Sequence, residues 1–346
     1  MPDRAPLPSR RGHGAIARLP GLALGLLLIF LYKESKAQLR WERMDTSFPG
    51  LPPSIHVYRT TAPLQGRPNI AWYLEADLEA RDIEITTDTT TRRRLTPAEF
   101  HARNNGPIAV VNGTFFSFAD NRNLNAVIRD GKLLAFNVTS IARRGQDTGS
   151  FSYVTRGAIG IDRHGRADVA WLLTDSSRRH AIAFEKGPLA YTGNTPRPPV
   201  QSIIKETRKK AGSLKKAGLR KHWKVRAAIA GGPVLVQEGR VFITNNEEQM
   251  FSGKAVDDLH PRTAMGYTRD RKLIIMVVQG RFPGVAEGAS LPDLARMMVD
   301  LGAREALNLD GGGSSCLLVQ GRETIRPSDK TGQRAIPAVL IIRKKK

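Results

Sequence analysis

The residues that best combine reactive groups with suitable spacing lie at positions 306–315, Ala-Leu-Asn-Leu-Asp-Gly-Gly-Gly-Ser-Ser. An apolar stretch runs directly into the carboxylate of Asp310, which is followed by glycines and hydroxyl groups. Glycines let backbone N–H groups turn toward a ligand without a side chain in the way, and concave arrays of such groups bind anions. A carboxylate beside an anion-binding turn indicates hydrolytic chemistry.

The segment before this turn predicts how Asp310 is positioned. Residues 273–279 form an apolar run typical of a buried strand, residues 291–301 carry apolar side chains at helical spacing, and a second strand begins at Ala306. This pattern predicts a βαβ unit with a right-handed crossover, whose strands are parallel neighbours or near-neighbours. The loops after both strands would then open on one edge of the sheet, where α/β proteins bind ligands. We therefore expect Arg281 and Glu287, in the first loop, to converge with Asp310.

The rest of the chain mixes hairpin signals with one further helix. A capping Thr96 followed by Pro97 predicts a helix over 96–103. Strands are predicted at 55–59, 70–78, 83–87, 108–111, 125–129, 158–162 and 227–230. The pattern predicts an α+β fold, in which a mixed sheet combines antiparallel hairpins with one βαβ unit in a single catalytic domain.

The predicted boundaries are 1–37 for an export signal or membrane anchor, 38–53 for a linker rich in turn formers, and 54–343 for the domain. Arginines between positions 4 and 18 precede an uncharged run at 19–32, which is the architecture of an export signal. The run is shorter than the roughly 20 apolar residues of a spanning helix. We therefore expect an exported protein, periplasmic or secreted, with an uncleaved N-terminal membrane anchor as the alternative.

The positive charge of the chain is regional. Of a formal net charge of +22, residues 205–226 contribute ten basic side chains against one acidic side chain. We interpret this basic insertion either as a solvated surface segment or as an electrostatic patch that holds an anionic envelope polymer. Nucleic acid is not expected as a partner of an exported protein. The single cysteine, Cys316, excludes an intrachain disulfide and is predicted to be a buried core thiol.

Five segments, taken together and in order, resemble the phosphodiester glycosidase family. They are 111–116, 230–236, 260–264, 279–281 and 309–315. The resemblance spans about 69–342, apart from the basic insertion, and departs from the family pattern at Thr114, where glycine is common. It implies an enzyme of the glycoside hydrolase type that cleaves a sugar-1-phosphate diester, in envelope or extracellular glycan metabolism.

The chemistry of such a reaction assigns roles to particular side chains. Cleavage at the anomeric carbon expels a phosphate monoester, so the site needs phosphate-binding donors and a carboxylate that supports the transition state or activates water. Arg262 and Arg281 suit phosphate, because a guanidinium can grip it through two parallel hydrogen bonds. Asp310 suits the carboxylate role, and Glu287 is the candidate second carboxylate. His260 is a candidate base or hydrogen-bond donor, with a structural role as the alternative.

The predicted substrate contacts are glycines and short polar side chains near strand ends. Asn112 either supports a left-handed turn or holds a sugar hydroxyl with its amide. Because no Gly-x-Ser-x-Gly sequence surrounds them, the two serines are expected to be phosphate donors or helix caps rather than nucleophiles. The predicted substrate-binding residues are Asn112, Gly113, Gly231, Gly232, Gly311, Gly312, Gly313, Ser314 and Ser315.

The sequence requires no cofactor, and metal binding is left undecided. Asp257, Asp258 and Asp310 could supply oxygen ligands to a divalent cation, but no spacing resembles a calcium loop and no His/Cys cluster suggests zinc. Two other functions stay open at this point. One is a non-catalytic binding protein for phosphorylated or anionic glycans, and the other is a glycosidase that acts on another linkage.

Overall fold

The structure is a computed structural model that describes residues 38–189 and 191–345. The predicted export signal or anchor at 1–37 lies outside the described residues. The strands are β1 (Glu42–Arg43), β2 (Ile55–Thr60), β3 (Ala71–Asp77), β4 (Ile83–Thr89), β5 (Ala109–Asn112), β6 (Val127–Arg129), β7 (Lys132–Ala135), β8 (Ser140–Ala142), β9 (Phe151–Tyr153), β10 (Arg156–Ile161), β11 (Ala167–Leu173), β12 (Ile182–Phe184), β13 (Tyr191–Gly193), β14 (Leu219–Arg220), β15 (Ala227–Ala230), β16 (Val234–Gln237), β17 (Arg240–Val241), β18 (Arg262–Thr268), β19 (Lys272–Val278), β20 (Ala303–Asn308), β21 (Leu317–Val319), β22 (Arg322–Glu323) and β23 (Ala338–Lys344). The helices are α1 (Pro97–Arg103), α2 (Val200–Ala211), α3 (Asn245–Glu248) and α4 (Leu291–Asp300), with short 3-10 helices at Asp45–Ser47, Gly145–Asp147, Gly253–Val256 and Gly312–Ser314.

These strands form four sheets. The eight-stranded sheet has the order β1-β2-β3-β19-β18-β20-β16-β17, and the seven-stranded sheet has the order β14-β12-β11-β10-β15-β6-β7. A five-stranded sheet has the order β22-β21-β5-β23-β4, and a three-stranded sheet has the order β13-β9-β8. The strands and the helix predicted between residues 55 and 230 all appear, with ends shifted by a few residues.

The segment predicted as a βαβ unit places both of its strands in the eight-stranded sheet. β19 and β20 belong to the same sheet and are separated in sequence by α4. β18 lies between them and is antiparallel to both, so the two strands are parallel near-neighbours, which is one of the two predicted arrangements. The prediction of a mixed sheet is therefore wrong, because every pair of adjacent strands in this sheet is antiparallel.

Three of the sheets pack around one apolar core. Buried side chains from the eight-stranded sheet, such as Ile275, meet Trp171 of the seven-stranded sheet and Leu340 of the five-stranded sheet in a single cluster. The outer face of the eight-stranded sheet is covered by α4, where Leu294 and Met298 are fully buried. The alternation of inward and outward side chains along the strands thus gives each large sheet two apolar faces.

Two segments are more tightly packed than their composition predicts. Residues 38–53, expected to form a linker, contribute β1 to the large sheet and place Phe48 in the core at 3% exposure. Helix α2, which leads into the basic insertion, buries Ile203 and Ile204, and within the insertion the indole N–H of Trp223 donates to Asp168 Oδ2 at 2.6 Å. The apolar face of α2 begins at Val200, before the charged run, which is why the composition of 205–226 alone suggested a loop.

The thiol of Cys316 and the lengths of the helices bear on two further properties of the fold. Cys316 is buried, as predicted, and burial raises the pKa of its thiol. Among the helices of the described residues, none is both long and apolar enough to cross a membrane.

Candidate active site

Asn112, the last residue of β5, joins three parts of the fold at the base of the site. Its side chain is fully buried. Its Nδ2 donates to the backbone oxygen of Asp310 at 2.6 Å, and its Oδ1 accepts from Thr263 Oγ1 at 2.8 Å and from Cys316 N at 3.0 Å. The predicted contact with a sugar hydroxyl is not what this geometry provides, because the amide is engaged by protein groups. Asn112 instead positions the turn that carries Asp310.

Asp310 follows β20 and lies half-buried next to the hydrogen-bonded joint formed by Asn112, Thr263 and Cys316. Its backbone N–H donates to Gly113 O at 3.0 Å, and its Oδ1 accepts from Gly311 N at 3.0 Å. Burial raises the pKa of Asp310 to about 7, against the opposing effects of the Ser314 hydroxyl, the Arg334 guanidinium and the Gly311 N–H. A carboxyl group with a pKa near neutrality can both donate and accept a proton at physiological pH, which suits acid–base catalysis.

The glycines after Asp310 make room for two guanidinium groups. Gly312 adopts a φ of +60°, which favours glycine, and its N–H donates to Pro261 O at 2.8 Å. A Cβ built on Gly312 would lie 3.0 Å from Arg281 Nη2, and one built on Gly313 would overlap the Arg334 guanidinium. Arg281 and Arg334 therefore rest directly against the backbone of the turn, beside Asp310.

These two arginines are held differently. The Nη2 of Arg281 lies 3.4 Å from His260 Nδ1, and within the described part of the chain Arg281 has no carboxylate partner. Arg334 donates from Nε to Asp329 Oδ2 at 2.7 Å, which leaves the other guanidinium nitrogens for a ligand. Burial and the neighbouring Arg262 and Arg281 lower the pKa of His260, so its imidazole is neutral at physiological pH and can orient Arg281.

Arg262 does not occupy the phosphate-binding position predicted for it. Its side chain is 3% exposed, and its Nε donates to Ala289 O at 2.9 Å. Its Nη2 donates to Asp258 O at 2.8 Å and to Ala255 O at 3.3 Å. Burial lowers the pKa of Arg262 to about 10. The guanidinium therefore fastens the loops that carry Ala289 and Asp258, whereas the guanidinium of Arg334 lies against Gly313 of the glycine turn.

Glu287 contributes to the site through its backbone. Its carbonyl oxygen accepts from Arg281 N at 3.4 Å, and its N–H donates to Pro68 O at 3.1 Å. Across residues 38–189 and 191–345, its carboxylate makes no hydrogen bond or ion pair with another residue of the site. The structure thus brings Arg281, His260 and Asp310 together and does not add Glu287 as a second carboxylate.

The other glycines predicted to bind substrate are instead required for close packing. A Cβ on Gly231 would lie 2.6 Å from Asn308 O, and one on Gly113 would lie 2.5 Å from Ile229 Cδ1. Gly232 exchanges two hydrogen bonds with Asn308, both of 2.8 Å, one through the Asn308 side chain and one through its backbone oxygen. These residues hold β20 against its neighbours and so fix the position of Asp310 from below.

The two serines at the end of the turn are both buried. Ser315 Oγ lies 3.2 Å from Thr263 Oγ1, so its hydroxyl belongs to the joint around Asn112. Ser314 is 1% exposed; its hydroxyl opposes the rise in the pKa of Asp310, but among the described residues its Oγ has no hydrogen-bond partner. Neither serine is placed as an exposed nucleophile, and neither caps the 3-10 helix at Gly312–Ser314 with its side chain, so the expected role as phosphate donors stays a prediction.

The remaining carboxylates do not assemble around Asp310. The described residues contain no group of three His, Cys, Asp or Glu side chains placed to hold a metal ion. Asp257 and Asp258 are exposed and do not form a shared ligand set with Asp310. That the protein requires no cofactor therefore stays a prediction, and metal binding stays undecided.

Sequence reasoning missed the wall of the site formed by Arg334, Phe118 and Arg94. The Phe118 ring is 66% exposed, and the guanidinium carbons of Arg94 and Arg334 lie 5.4 Å and 5.5 Å from its centroid. Nothing local marks these residues, because they come from three loops that meet only in the folded chain. Phe116, beside them, is buried.

A large groove elsewhere on the surface carries no comparable set of groups. It has a volume of about 850 Å³ and is lined by His101, Ile108, Arg226 and Lys344, among others. Ile108 precedes β5, whereas Asn112 ends it, so this groove lies at the other end of the strand from Asp310. The reactive groups, rather than the size of a groove, therefore locate the site.

The chain is similar to known proteins in sequence and in fold. A family model for phosphodiester glycosidases matches residues 105–343. The bovine (Bos taurus) N-acetylglucosamine-1-phosphodiester alpha-N-acetylglucosaminidase is 28% identical over 109 residues, which is 29% of this chain and 20% of that protein. The match thus spans about a fifth of the length of this curated relative.

Two solved structures share the fold. One is a hypothetical protein from Synechocystis, with a TM-score of 0.55, 16% identity, and coverage of 89% of this chain and 68% of that chain. The other is the catalytic domain of zebrafish N-acetylglucosamine-1-phosphodiester alpha-N-acetylglucosaminidase, with a TM-score of 0.50, 19% identity and coverage of 89% of both chains. Because the family model covers residues 105–343, the chain belongs to the phosphodiester glycosidase family, a family of hydrolases, as its five ordered segments predict.

Proposed function

We propose that the protein hydrolyses a glycosyl-phosphodiester, with Asp310 acting at the sugar and Arg281 and Arg334 acting at the phosphate. One observation carries the proposal: a half-buried carboxyl group, whose pKa burial raises to about 7, lies beside a glycine turn on which two guanidinium groups rest. This combination supplies both a proton acceptor and an anion-binding surface within one turn of the chain.

The reaction divides between these groups as follows. A water molecule attacks the anomeric carbon, and Asp310 accepts the proton that the water loses. The bond between the anomeric carbon and the phosphate oxygen breaks, and its electron pair leaves with the phosphate monoester. Arg281 and Arg334 stabilise the charge that builds up on this leaving group. A phosphate monoester leaves readily, so the step needs less help from a general acid than the loss of an alcohol does.

His260 and Arg262 act on this chemistry through other residues. The neutral imidazole of His260 lies within hydrogen-bonding distance of Arg281 and orients that guanidinium. Arg262 fixes the loops that carry Asp258 and Ala289, so its loss would disturb the site from below. We therefore regard both as positioning residues.

An assay with two substrates tests the proposal against its rivals. The wild-type protein and Asp310→Asn are incubated with a sugar-1-phosphodiester and with an aryl glycoside of the same sugar. Release of sugar from the diester alone, abolished in Asp310→Asn, supports the proposal. Release from the aryl glycoside supports a glycosidase for another linkage. Measurable binding without any release supports a binding protein for phosphorylated or anionic glycans.

We further propose that the protein is exported and acts in envelope or extracellular glycan metabolism without a metal cofactor. The arrangement of basic leader and apolar run supports export. A chelator should accordingly leave turnover of the diester unchanged, whereas a loss restored by one divalent cation would overturn that part of the proposal. The appearance of the mature protein outside the cytoplasm, with or without its first 37 residues, would test export and the membrane anchor.

The basic insertion is proposed to hold an anionic envelope polymer, with no role in binding nucleic acid. Its support is that Lys209, Lys210, Lys215 and Lys216 are exposed while the apolar face of α2 is anchored in the core. Replacing these four lysines by glutamine should weaken binding to an anionic polymer and reduce its dependence on salt. Turnover of a small soluble diester serves as the control, because these lysines lie outside the site around Asp310.

A further inference from the structure

An exposed aromatic ring, Phe118, stands near the glycine turn; its centroid lies 4.7 Å from that of the buried Phe116 ring, and this contact leaves most of Phe118 open to water. Phe118 is 66% exposed, at the tip of a loop that is closed by hydrogen bonds from Ser117 N to Arg122 O and from Asn121 N to Ser117 O, at 3.0 Å and 2.9 Å. The base of the loop is tied down where Asn123 Nδ2 donates to Thr89 Oγ1 at 2.9 Å. The ring is therefore held in a defined place at the surface, although exposing it to water is unfavourable.

Two guanidinium groups flank this ring. Arg94 lies 5.2 Å from the Phe116 centroid and 5.4 Å from that of Phe118, and Arg334 lies 5.5 Å from Phe118. Such distances allow cation–π attraction, which fixes the position of each guanidinium. Arg94 is half-buried and has no ion pair among the residues that the structure describes. Its charge is thus ordered but not neutralised by the protein.

The order of these groups defines a direction away from Asp310. Arg334 contacts both the turn at Gly313 and the Phe118 ring, so it lies between the catalytic carboxyl group and the ring. Arg94 lies on the Phe118 ring and on Phe116. If the scissile phosphate binds at Arg334, its sugar extends toward Asp310. The alcohol esterified to the other side of the phosphate then extends toward Phe118.

We propose that Phe118 and Arg94 form a subsite for the leaving group, which takes a sugar-like ring bearing a second anionic group. This inference rests on the proposed function. The apolar face of a pyranose stacks on the Phe118 ring, and a phosphate or carboxylate on that pyranose pairs with Arg94. Arg94 then gains the anionic partner that the protein does not supply.

A lipid-like leaving group fits these residues less well. Phe118 is a single exposed ring with two guanidinium groups near it, and the neighbouring Phe116 is buried. A hydrocarbon chain would have to lie against charged groups over most of its length. A ring with one apolar face and polar edges meets both the aromatic surface and the cations.

Three substrates with the same donor sugar test the subsite. Their phosphate carries a methyl ester, a glucose 6-ester, or an ester of glucose that bears a further phosphate. The readout is the ratio of kcat/KM for each sugar ester to that for the methyl ester. Phe118→Leu should lower the ratio for both sugar esters about 3- to 10-fold. Arg94→Gln should lower it about 10-fold for the phosphorylated ester and hardly at all for the neutral one.

Two control variants match these changes elsewhere on the surface. Arg93→Gln removes an exposed guanidinium next to Arg94, and Phe242→Leu truncates a ring that is 42% exposed and packs near Trp171 instead of the site. Neither control should alter the ratios. Ratios that are unchanged in Phe118→Leu and Arg94→Gln, with turnover intact, would overturn the subsite and leave the proposed function standing. Failure of the wild-type protein to hydrolyse any of the three diesters would overturn the proposed function and the subsite with it.

Discussion

Replacing Asp310 by asparagine should stabilise the folded protein, and the gain should grow with pH. Burial raises the pKa of Asp310 from 3.8 to about 7 in the folded protein. Between these values the carboxyl group is ionised in the unfolded chain and protonated in the folded one. The unfolded state therefore binds fewer protons, and the free energy of unfolding falls as the pH rises through this window.

The magnitude follows from the difference in pKa. Each pKa unit corresponds to 1.36 kcal/mol, so the buried carboxyl group lowers the free energy of unfolding by ~1.7 kcal/mol at pH 5 and by ~4 kcal/mol at pH 8. Asparagine does not titrate, and its side-chain oxygen can still accept the 3.0 Å hydrogen bond from Gly311 N. The stability difference between Asp310→Asn and wild type should therefore be ~2.5 kcal/mol larger at pH 8 than at pH 5.

Urea unfolding followed by tryptophan fluorescence at pH 5, 6.5 and 8 measures this difference. Asp257→Asn, which removes an exposed carboxylate, is the control for a simple change of net charge. A stability difference that is the same at all three pH values would refute the argument, because it would mean that Asp310 ionises alike in the folded and unfolded chains. We expect Asp310→Asn to be more stable than the wild-type protein and to lose turnover, a trade-off that is common at catalytic groups.

Three further outcomes test other contacts of the site. The kcat/KM of the wild-type protein for a sugar-1-phosphodiester should rise with pH through about 7, as Asp310 loses its proton and becomes a base, and a flat profile between pH 5 and 8 would contradict this role. Gly313→Ala should displace the Arg334 guanidinium and lower turnover while the protein stays folded, since the far end of a flexible side chain can move. The double variant Gly313→Ala/Arg334→Gln should then be no slower than Arg334→Gln alone, and additive losses would show that the glycine acts by another route. Asn112→Ala should lower the free energy of unfolding by ~2–4 kcal/mol, because three buried polar groups lose their hydrogen-bond partner. Thermal or urea unfolding measures this change, and an unchanged stability would show that the hydrogen bonds of Asn112 are dispensable.

Local sequence predicted the elements of the fold better than it predicted the contacts between them. The apolar run at 273–279 and the capped helix at 96–103 carry their signals in neighbouring residues, and both appear in the structure. The insertion of β18 between β19 and β20 carries no such signal, since it depends on which strands find each other in space. The predicted mixed sheet was wrong for this reason.

The difference between local sequence signals and contacts formed only in the fold also explains which site residues were predicted. Asp310 and its glycines form one continuous segment, so their proximity was visible in the sequence. The choice between Arg262 and Arg334 depends on side-chain direction: one guanidinium turns inward to backbone carbonyls, and the other lies on the glycine turn. No spacing rule distinguishes these two directions.

The position of β23 has a consequence for the time at which the protein becomes active. This strand lies between β4 and β5, and Val339 pairs with Asn112, the residue that holds the backbone of Asp310. In chain order, β4 is the first strand of the five-stranded sheet and β23 is the last, and most of the polypeptide lies between them. During synthesis, β5 leaves the ribosome long before its partner exists, and Asn112 has neither Thr263 nor Cys316 to bind. We therefore expect the site to be assembled only after residues 338–344 have been made, so that a nascent chain lacking them does not yet hold Asp310 in place to accept a proton from water.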